Sequence, residues 1–453
     1  MGPISRVMTR RTSSVHGDVL QIVVLAWPMM VTAIVVSLSQ NLQIAILGNG
    51  AESQTLSTLS LLQPFNFLFI AIMECVAITN QVFSARSRHD WPRGRIWHST
   101  LLSGGLGLLA TTAAAALCYL LASPLSSWMG STDPSLMRSS APWYLLSMTP
   151  FMLLEVGNAA LRGQGRTAAA MLLMCAYILG NALLCFVGFQ HYQLGFDAVL
   201  LANAIAAAPL LPLVFVLVRR QARTADRPDD RPQAFLPRLL ALLANAGIPV
   251  FFSMVVVFFS SMVIFPMVAR AGEGMLPAFL IVIKLRAFFI IPAVALGSAI
   301  AILSNQRLKT ASVVALARLL KSGLWLVVLV CLFLTLAVGV IRTGVLDGLS
   351  NDAVIRHASQ TVLLLLLPTF FLTSLVAALQ TLLEQLERGK RVLLFTLVLE
   401  LAMAGVVLTT RSYFDDIRTL AGLMVSFSVL YAVVFLREYR LLLKSLGERD
   451  AAV

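Results

Sequence analysis

The sequence predicts an all-α polytopic membrane protein with twelve transmembrane helices in two pseudo-symmetric six-helix lobes. Three observations predict it. Hydrophobic residues make up 58% of the 453 positions and charged residues only 12%, about half the charge of a soluble domain. The apolar runs are about 20 residues or longer, the length of a membrane-spanning helix, not the ~10-residue alternating segments of a barrel. Landmarks also recur at a near-constant offset. Ala26-Trp27-Pro28 returns as Gly247-Ile248-Pro249 after 221 residues, Thr79-Asn80-Gln81 as Ser304-Asn305-Gln306 after 225, and Leu161-Arg162-Gly163-Gln164-Gly165-Arg166 as Leu383-Glu384-Gln385-Leu386-Glu387-Arg388 after 222.

Taken in order, residues 1–18 hold Arg6, Arg10 and Arg11 before a long apolar run, the pattern of a cytoplasmic tail and an uncleaved start-transfer helix. Six spans follow at 19–47, 56–84, 96–122, 142–161, 168–189 and 194–218, forming an N-terminal lobe over 19–218. The stretch 219–238 carries six arginines, three aspartates and three prolines. It cannot bury apolar area and reads as a solvated linker. Six more spans, at 239–268, 277–304, 319–341, 361–383, 392–410 and 420–443, form a C-terminal lobe over 239–443, and 444–453 is a tail.

Of the 34 lysines and arginines, 26 fall on the side of the N-terminus and six on the other. The positive-inside rule then places both termini and the linker in the cytoplasm, as in a multi-pass protein of a bacterial inner membrane. The same bias accounts for the net charge of +13 by attraction to anionic lipid headgroups. No basic patch interleaved with aromatics asks for nucleic acid. The cysteines Cys75, Cys118, Cys175, Cys185 and Cys331 all lie in apolar spans, without CxxC spacing, and the five histidines form no HxxxH pair. Neither a disulfide framework nor a metal site is expected.

These landmarks resemble the multidrug and toxic compound extrusion (MATE) family. The resemblance rests on Leu25-Ala26-Trp27-Pro28, Ile46-Leu47-Gly48, Asn80-Gln81, Leu161-Arg162-Gly163-Gln164-Gly165-Arg166-Thr167, Asn181, Gly247-Ile248-Pro249 and Ser304-Asn305-Gln306. It implies two six-helix lobes and export of organic cations or other toxic compounds, driven by inward protons or sodium. It implies no cofactor beyond that ion. The chain departs from the family where many members carry coupling carboxylates: Gln43 stands for an aspartate in the first span, Cys185 for one in the fifth, and Val257 for a glutamate in the seventh.

Five charges lie well within spans: Glu74, Glu155, Lys284, Arg286 and Glu400. A charge at the bilayer centre costs about 2.5–3.5 kcal/mol even on a lenient scale, so each is expected to face a cavity or a partner. Gln63, Asn66, Glu74 and Gln81 fall on one face of the second span, as a wall of a watered path would, and Glu74 is the candidate ion carrier. A structural, neutral carboxylic acid is the competing reading. Glu155 shares a face with Asn158 and Arg162 near the cytoplasmic end, where a structural pair is as good an account. Lys284 and Arg286 point about 160° apart. Lys284 is expected to neutralise Glu400, while the family resemblance implies an architectural role for Arg286. Gln43, Asn181 and Thr373 complete the candidate ion- and substrate-binding set, although such residues commonly serve as interhelical glue. Pro28, Pro249 and Pro292 are candidate bending points.

A proton- or sodium-coupled exporter is therefore the leading expectation. It would act as a monomer on small, cationic or amphiphilic molecules. The alternatives are a lipid-linked oligosaccharide flippase of the same superfamily and a non-transporting receptor or scaffold. A membrane enzyme would need clustered Asp, His or Glu at a membrane face, and the sequence has no such cluster.

Overall fold

A computed structural model of the chain describes residues 15–48, 53–87, 95–124, 134–223, 235–270, 275–308, 311–347, 353–409 and 417–451. Among the described residues there are helices and turns but no strand. The helices of the first half are α1 (Val15–Gly48), α2 (Ser53–Arg86), α3 (Arg95–Leu120), α4 (Pro134–Ser147), α5 (Thr149–Gly163), α6 (Thr167–Gln190), α7 (Asp197–Ala207) and α8 (Leu210–Arg223). Those of the second are α9 (Phe235–Leu242), α10 (Ile248–Arg270), α11 (Met275–Arg307), α12 (Val313–Asp347), α13 (Ala353–Leu383), α14 (Gly389–Thr409) and α15 (Ile417–Ala451).

Among the described residues eleven stretches are long and apolar enough to cross a membrane, and one of them, Ile355–Thr409, is 55 residues long. It is two spans joined at Glu384–Arg388, where Leu386 and Glu387 leave helical geometry and Glu387 turns to φ 63°. Divided at that kink, the expected twelve spans are present. Pro249 explains a second irregularity. It has no N–H to close a normal helical bond, and Leu243–Gly247, which end two residues before it, widen into a π-helical turn.

The internal repeat is visible in what its landmarks do. Asn80 near the end of α2 donates to the Val156 carbonyl of α5 at 2.9 Å, and Asn305 near the end of α11 donates to the Gln385 carbonyl just after α13, also at 2.9 Å. Gly165 in the Leu161–Arg166 turn has φ 80°, and Glu387, its counterpart 222 residues later, has φ 63°. The first of these turns also needs Gly163, because a Cβ there would run into the Gln81 carbonyl of α2.

The chain packs as two compact units. One comprises Val31–Phe252, and the other the described parts of Met1–Met30 together with those of Ser253–Val453. The expected division was the linker at 219–238; residues 224–234 of that stretch lie outside the described residues, and the units part inside α1 and α10 instead. The reason is local. Asp18, assigned from sequence to the cytoplasmic tail at residues 1–18, is 3% exposed and bound by Arg307 of α11 at 2.9 Å and Arg318 of α12 at 3.2 Å. Ile22, Leu25 and Ala26 are buried on the same side of α1. Pro28 and Pro249 each lie a few residues before the point where their helix leaves one unit for the other.

The core of the Val31–Phe252 unit is built on Leu62, Phe69, Met137, Leu145 and Met152, that of the other on Val268, Val282, Leu363, Phe370 and Val407. Large apolar side chains such as Leu109, Leu172, Phe333 and Val340 lie on the outside, as required where the solvent is lipid.

Candidate functional site

Each unit holds a polar site in its own interior. In the Val31–Phe252 unit, the end of α2 packs on α5. The Arg162 guanidinium donates from Nη2 to Glu155 Oε1 and from Nε to Gln81 Oε1, the latter at 3.0 Å. Glu155 is 5% exposed, and its second oxygen, Oε2, has no hydrogen-bond partner among the described residues. One turn further on, Asn158 is fully buried and neither end of its amide finds a partner there. Behind them Asn80 accepts from Ser99 at 2.6 Å and donates to Thr100 at 3.1 Å, tying α2 to α3.

Glu74 lies two turns before Gln81 on the same face of α2. It is half-buried, and the charges that act on it are those of Glu155 and Arg162. Asn66 is half-buried two turns earlier. The cluster therefore contains two carboxylates, Glu74 and Glu155, for one guanidinium. Gln43 lies in α1, but its side chain, like that of Gln63, is outside the described residues.

The second site is a cavity of about 260 Å³ lined by α10, α11, α13, α14 and α15. Three helices each line it with one face: Thr373, Val376, Ala377 and Gln380 from α13; Thr396, Glu400 and Met403 from α14; Met424, Phe427, Ser428 and Tyr431 from α15. The spacings of three, four and seven are those of a helical stripe. Glu400 Oε1 accepts from the Tyr431 hydroxyl at 2.8 Å, and Tyr431 is held by stacking on Phe435, ring centroids 6.1 Å apart. Gln380 donates to Thr396 at 3.1 Å.

The cation of this cavity is Arg286, which lines it and donates from Nη1 to Thr369 at 3.3 Å. The expected pairing of Lys284 with Glu400 is not formed. Lys284 is exposed, it does not line the cavity, and the charge that reaches Glu400 is that of Arg286. The two cations diverge around α11 as their spacing requires, with the roles reversed: Arg286 faces the chemistry and Lys284 faces away.

Thr373 lines the cavity with its hydroxyl returned to the Thr369 carbonyl. Asn181 takes part in a chain of bonds, donating to Asn203 at 3.0 Å, which in turn donates to Ser147 at 3.4 Å. That is glue between α6, α7 and α4. Cys185, at the position of a family aspartate, is fully buried among apolar side chains. Sequence reasoning missed Tyr431 and the bound state of Asp18. The i, i+3, i+4, i+7 pattern from Met424 to Tyr431 was the available signal for the first.

The MatE family model matches the chain twice, at residues 28–187 and 249–408. The two matches begin 221 residues apart, the offset between Pro28 and Pro249. The chain belongs to the MATE family of membrane transporters. The fold agrees. The Vibrio cholerae MATE transporter VcmN, in a mutant form, superposes with a TM-score of 0.84 over 96% of this chain and 99% of its own, at 17% identity. The bent form of VcmN gives a TM-score of 0.81 with the same coverage, at 18% identity. A MOP superfamily transporter from Pyrococcus furiosus gives 0.79 over 94% of this chain and 96% of its own, at 18% identity. No curated protein sequence matches the chain. This MATE protein is thus a multi-pass integral membrane transporter of small molecules and not an enzyme.

Proposed function

We propose that this MATE protein exports cationic or amphiphilic organic molecules in exchange for inward-moving protons or sodium, with Glu74 holding the coupling ion. One observation carries the reading. The Glu74–Glu155–Arg162 cluster has one negative charge more than it can balance internally, and it lies in the interior of its unit, where an unbalanced charge is costly. One bound monovalent cation, a proton or sodium, restores neutrality. A cationic substrate approaching the same carboxylates competes with that ion, and this competition is the coupling an antiporter needs. The cavity of Glu400 and Arg286 already has one charge of each sign, so the ion is assigned to Glu74. With 26 of 34 basic residues on one side, the working orientation has both termini in the cytoplasm.

The test is transport in proteoliposomes under an imposed proton or sodium gradient. Glu74→Gln is expected to insert and fold but to lose gradient-driven export of a fluorescent organic cation, whereas Glu400→Gln keeps its gradient dependence. Export that still follows the gradient in Glu74→Gln would remove Glu74 from the coupling step.

A further inference from the structure

A groove of about 610 Å³ lies at the start of α12, lined by Val15 of α1, Leu443 of α15 and the face of α12 that carries Arg318, Lys321, Ser322 and Trp325. These α12 positions follow one another at three, four and seven residues, so they form a single stripe. It belongs to neither polar interior site. We propose that it binds the negatively charged phosphodiester headgroup of an anionic phospholipid, with the lipid's acyl chain lying along α12.

Three features point to that ligand. The first is a pair of cations. Arg318 gives Nε to Asp18 at 3.2 Å and keeps a side chain 30% exposed at the groove. The exposed Lys321, one turn away, lines the same groove. Two cations at this spacing suit the oxygens of a phosphate.

The second feature is the environment of charge. The fourteen residues that precede Val15 contain three arginines and no carboxylate. A segment of that charge makes a poor occupant for a basic groove. By the distribution of basic residues this end faces the cytoplasmic leaflet, where anionic lipids attract Lys and Arg.

The third feature decides for a lipid over a free phosphate. From the basic end the outer face of α12 continues as Trp325, Leu329 and Phe333, all exposed and four residues apart. A Trp beside a cationic pair, followed by a bare apolar stripe, matches headgroup, interface and acyl chain in order. The phosphate would share Arg318 with Asp18, so lipid binding bears directly on the contact that anchors the start of α1.

The experiment uses the full chain, delipidated in a neutral detergent, with phosphatidylglycerol, phosphatidylcholine and inorganic phosphate as probes. Binding is read by native mass spectrometry and by the thermal unfolding midpoint. Phosphatidylglycerol is expected to be retained and to raise the midpoint, phosphatidylcholine to do so less, and inorganic phosphate not at all. Lys321→Gln, which leaves the Asp18 contacts in place, should weaken phosphatidylglycerol binding about fivefold, the equivalent of about 1 kcal/mol. Trp325→Ala should weaken it as well. Arg318→Gln tests the donor itself; should it fail to fold, Lys321→Gln and Trp325→Ala still decide the matter. Wild-type phosphatidylglycerol binding in both of those variants overturns the proposal. Equal binding of phosphatidylcholine, or equal stabilisation by inorganic phosphate, overturns it too.

Discussion

Arg162 shows how much rests on single side chains here. It closes an ion pair with Glu155 and reaches Gln81 on the neighbouring helix, at the end of α5. Removing one member of a buried pair strands the other charge, at about 3–5 kcal/mol. Arg162→Leu should therefore sharply lower the thermal midpoint in detergent, while Glu155→Met combined with Arg162→Leu should recover much of the loss. Simple additivity of the two changes would show that they are not coupled. Lys284 makes the opposite case. It is exposed and outside the Glu400 cavity, so Lys284→Met should change stability by no more than about 0.5 kcal/mol. Its effect should add to that of Glu400→Gln instead of rescuing it. A rescue would restore the pairing that the structure denies. Both expectations turn on helical angle. Positions 284 and 286 were legible as opposed faces, but nothing in their spacing said which face met α14.

At the scale of the element, glycine marks where helices touch. A Cβ at Gly163 would strike the Gln81 carbonyl and the Ala85 backbone of α2, whereas one at Gly105 in α3 meets nothing within 4 Å. Gly163→Ala should destabilise by about 1–3 kcal/mol, because backbone cannot move aside as a flexible side chain can. Gly105→Ala should stabilise by about 0.5–1 kcal/mol through helix propensity alone. Melting curves of the two variants, side by side, measure the contrast, and equal effects would contradict the α2–α5 contact. The kinked elements follow a related logic. Pro249 breaks the hydrogen-bond ladder and the chain answers with a π turn at Leu243–Gly247. That the seventh span contains a break was legible from the proline. The form of the break was not, since it depends on how closely Gly247 approaches Thr79 and Cys75 of α2.

On the scale of the whole molecule, the orientation is open to a direct check. A cysteine introduced at Gln233, in the central loop, should resist an impermeant thiol reagent added outside intact cells, and one at Ser131 should react. Labelling of Gln233→Cys from outside would reverse the assignment made from the charge bias. The two compact units invite a further test. The start of α1 belongs with the second half of the chain because Asp18 is gripped by Arg307 and Arg318. Asp18→Asn keeps the side chain's shape but loses its charge. It should lower the thermal midpoint and make the bond after Arg10 or Arg11 a faster target for trypsin. Unchanged proteolysis would show that the grip does not hold the helix start.

The sequence by itself determined the class, the number of spans and the repeat. Apolar runs about 20 residues long have one stable outcome in a bilayer, where every backbone polar group must bond internally. Three paired landmarks sufficed to find the two halves because turns and helix ends tolerate few residue types. It also narrowed the site to a handful of charges, since each is expensive in a membrane and few are kept. Tertiary structure decided their partners. In water, an apolar stripe tells a helix which side is in; between lipid and a packed interior both sides are apolar, and the stripe vanishes. The facing of Arg286 toward Glu400, the hydrogen bond of Tyr431 to Glu400 and the capture of Asp18 by two arginines therefore emerge only when the helices are packed.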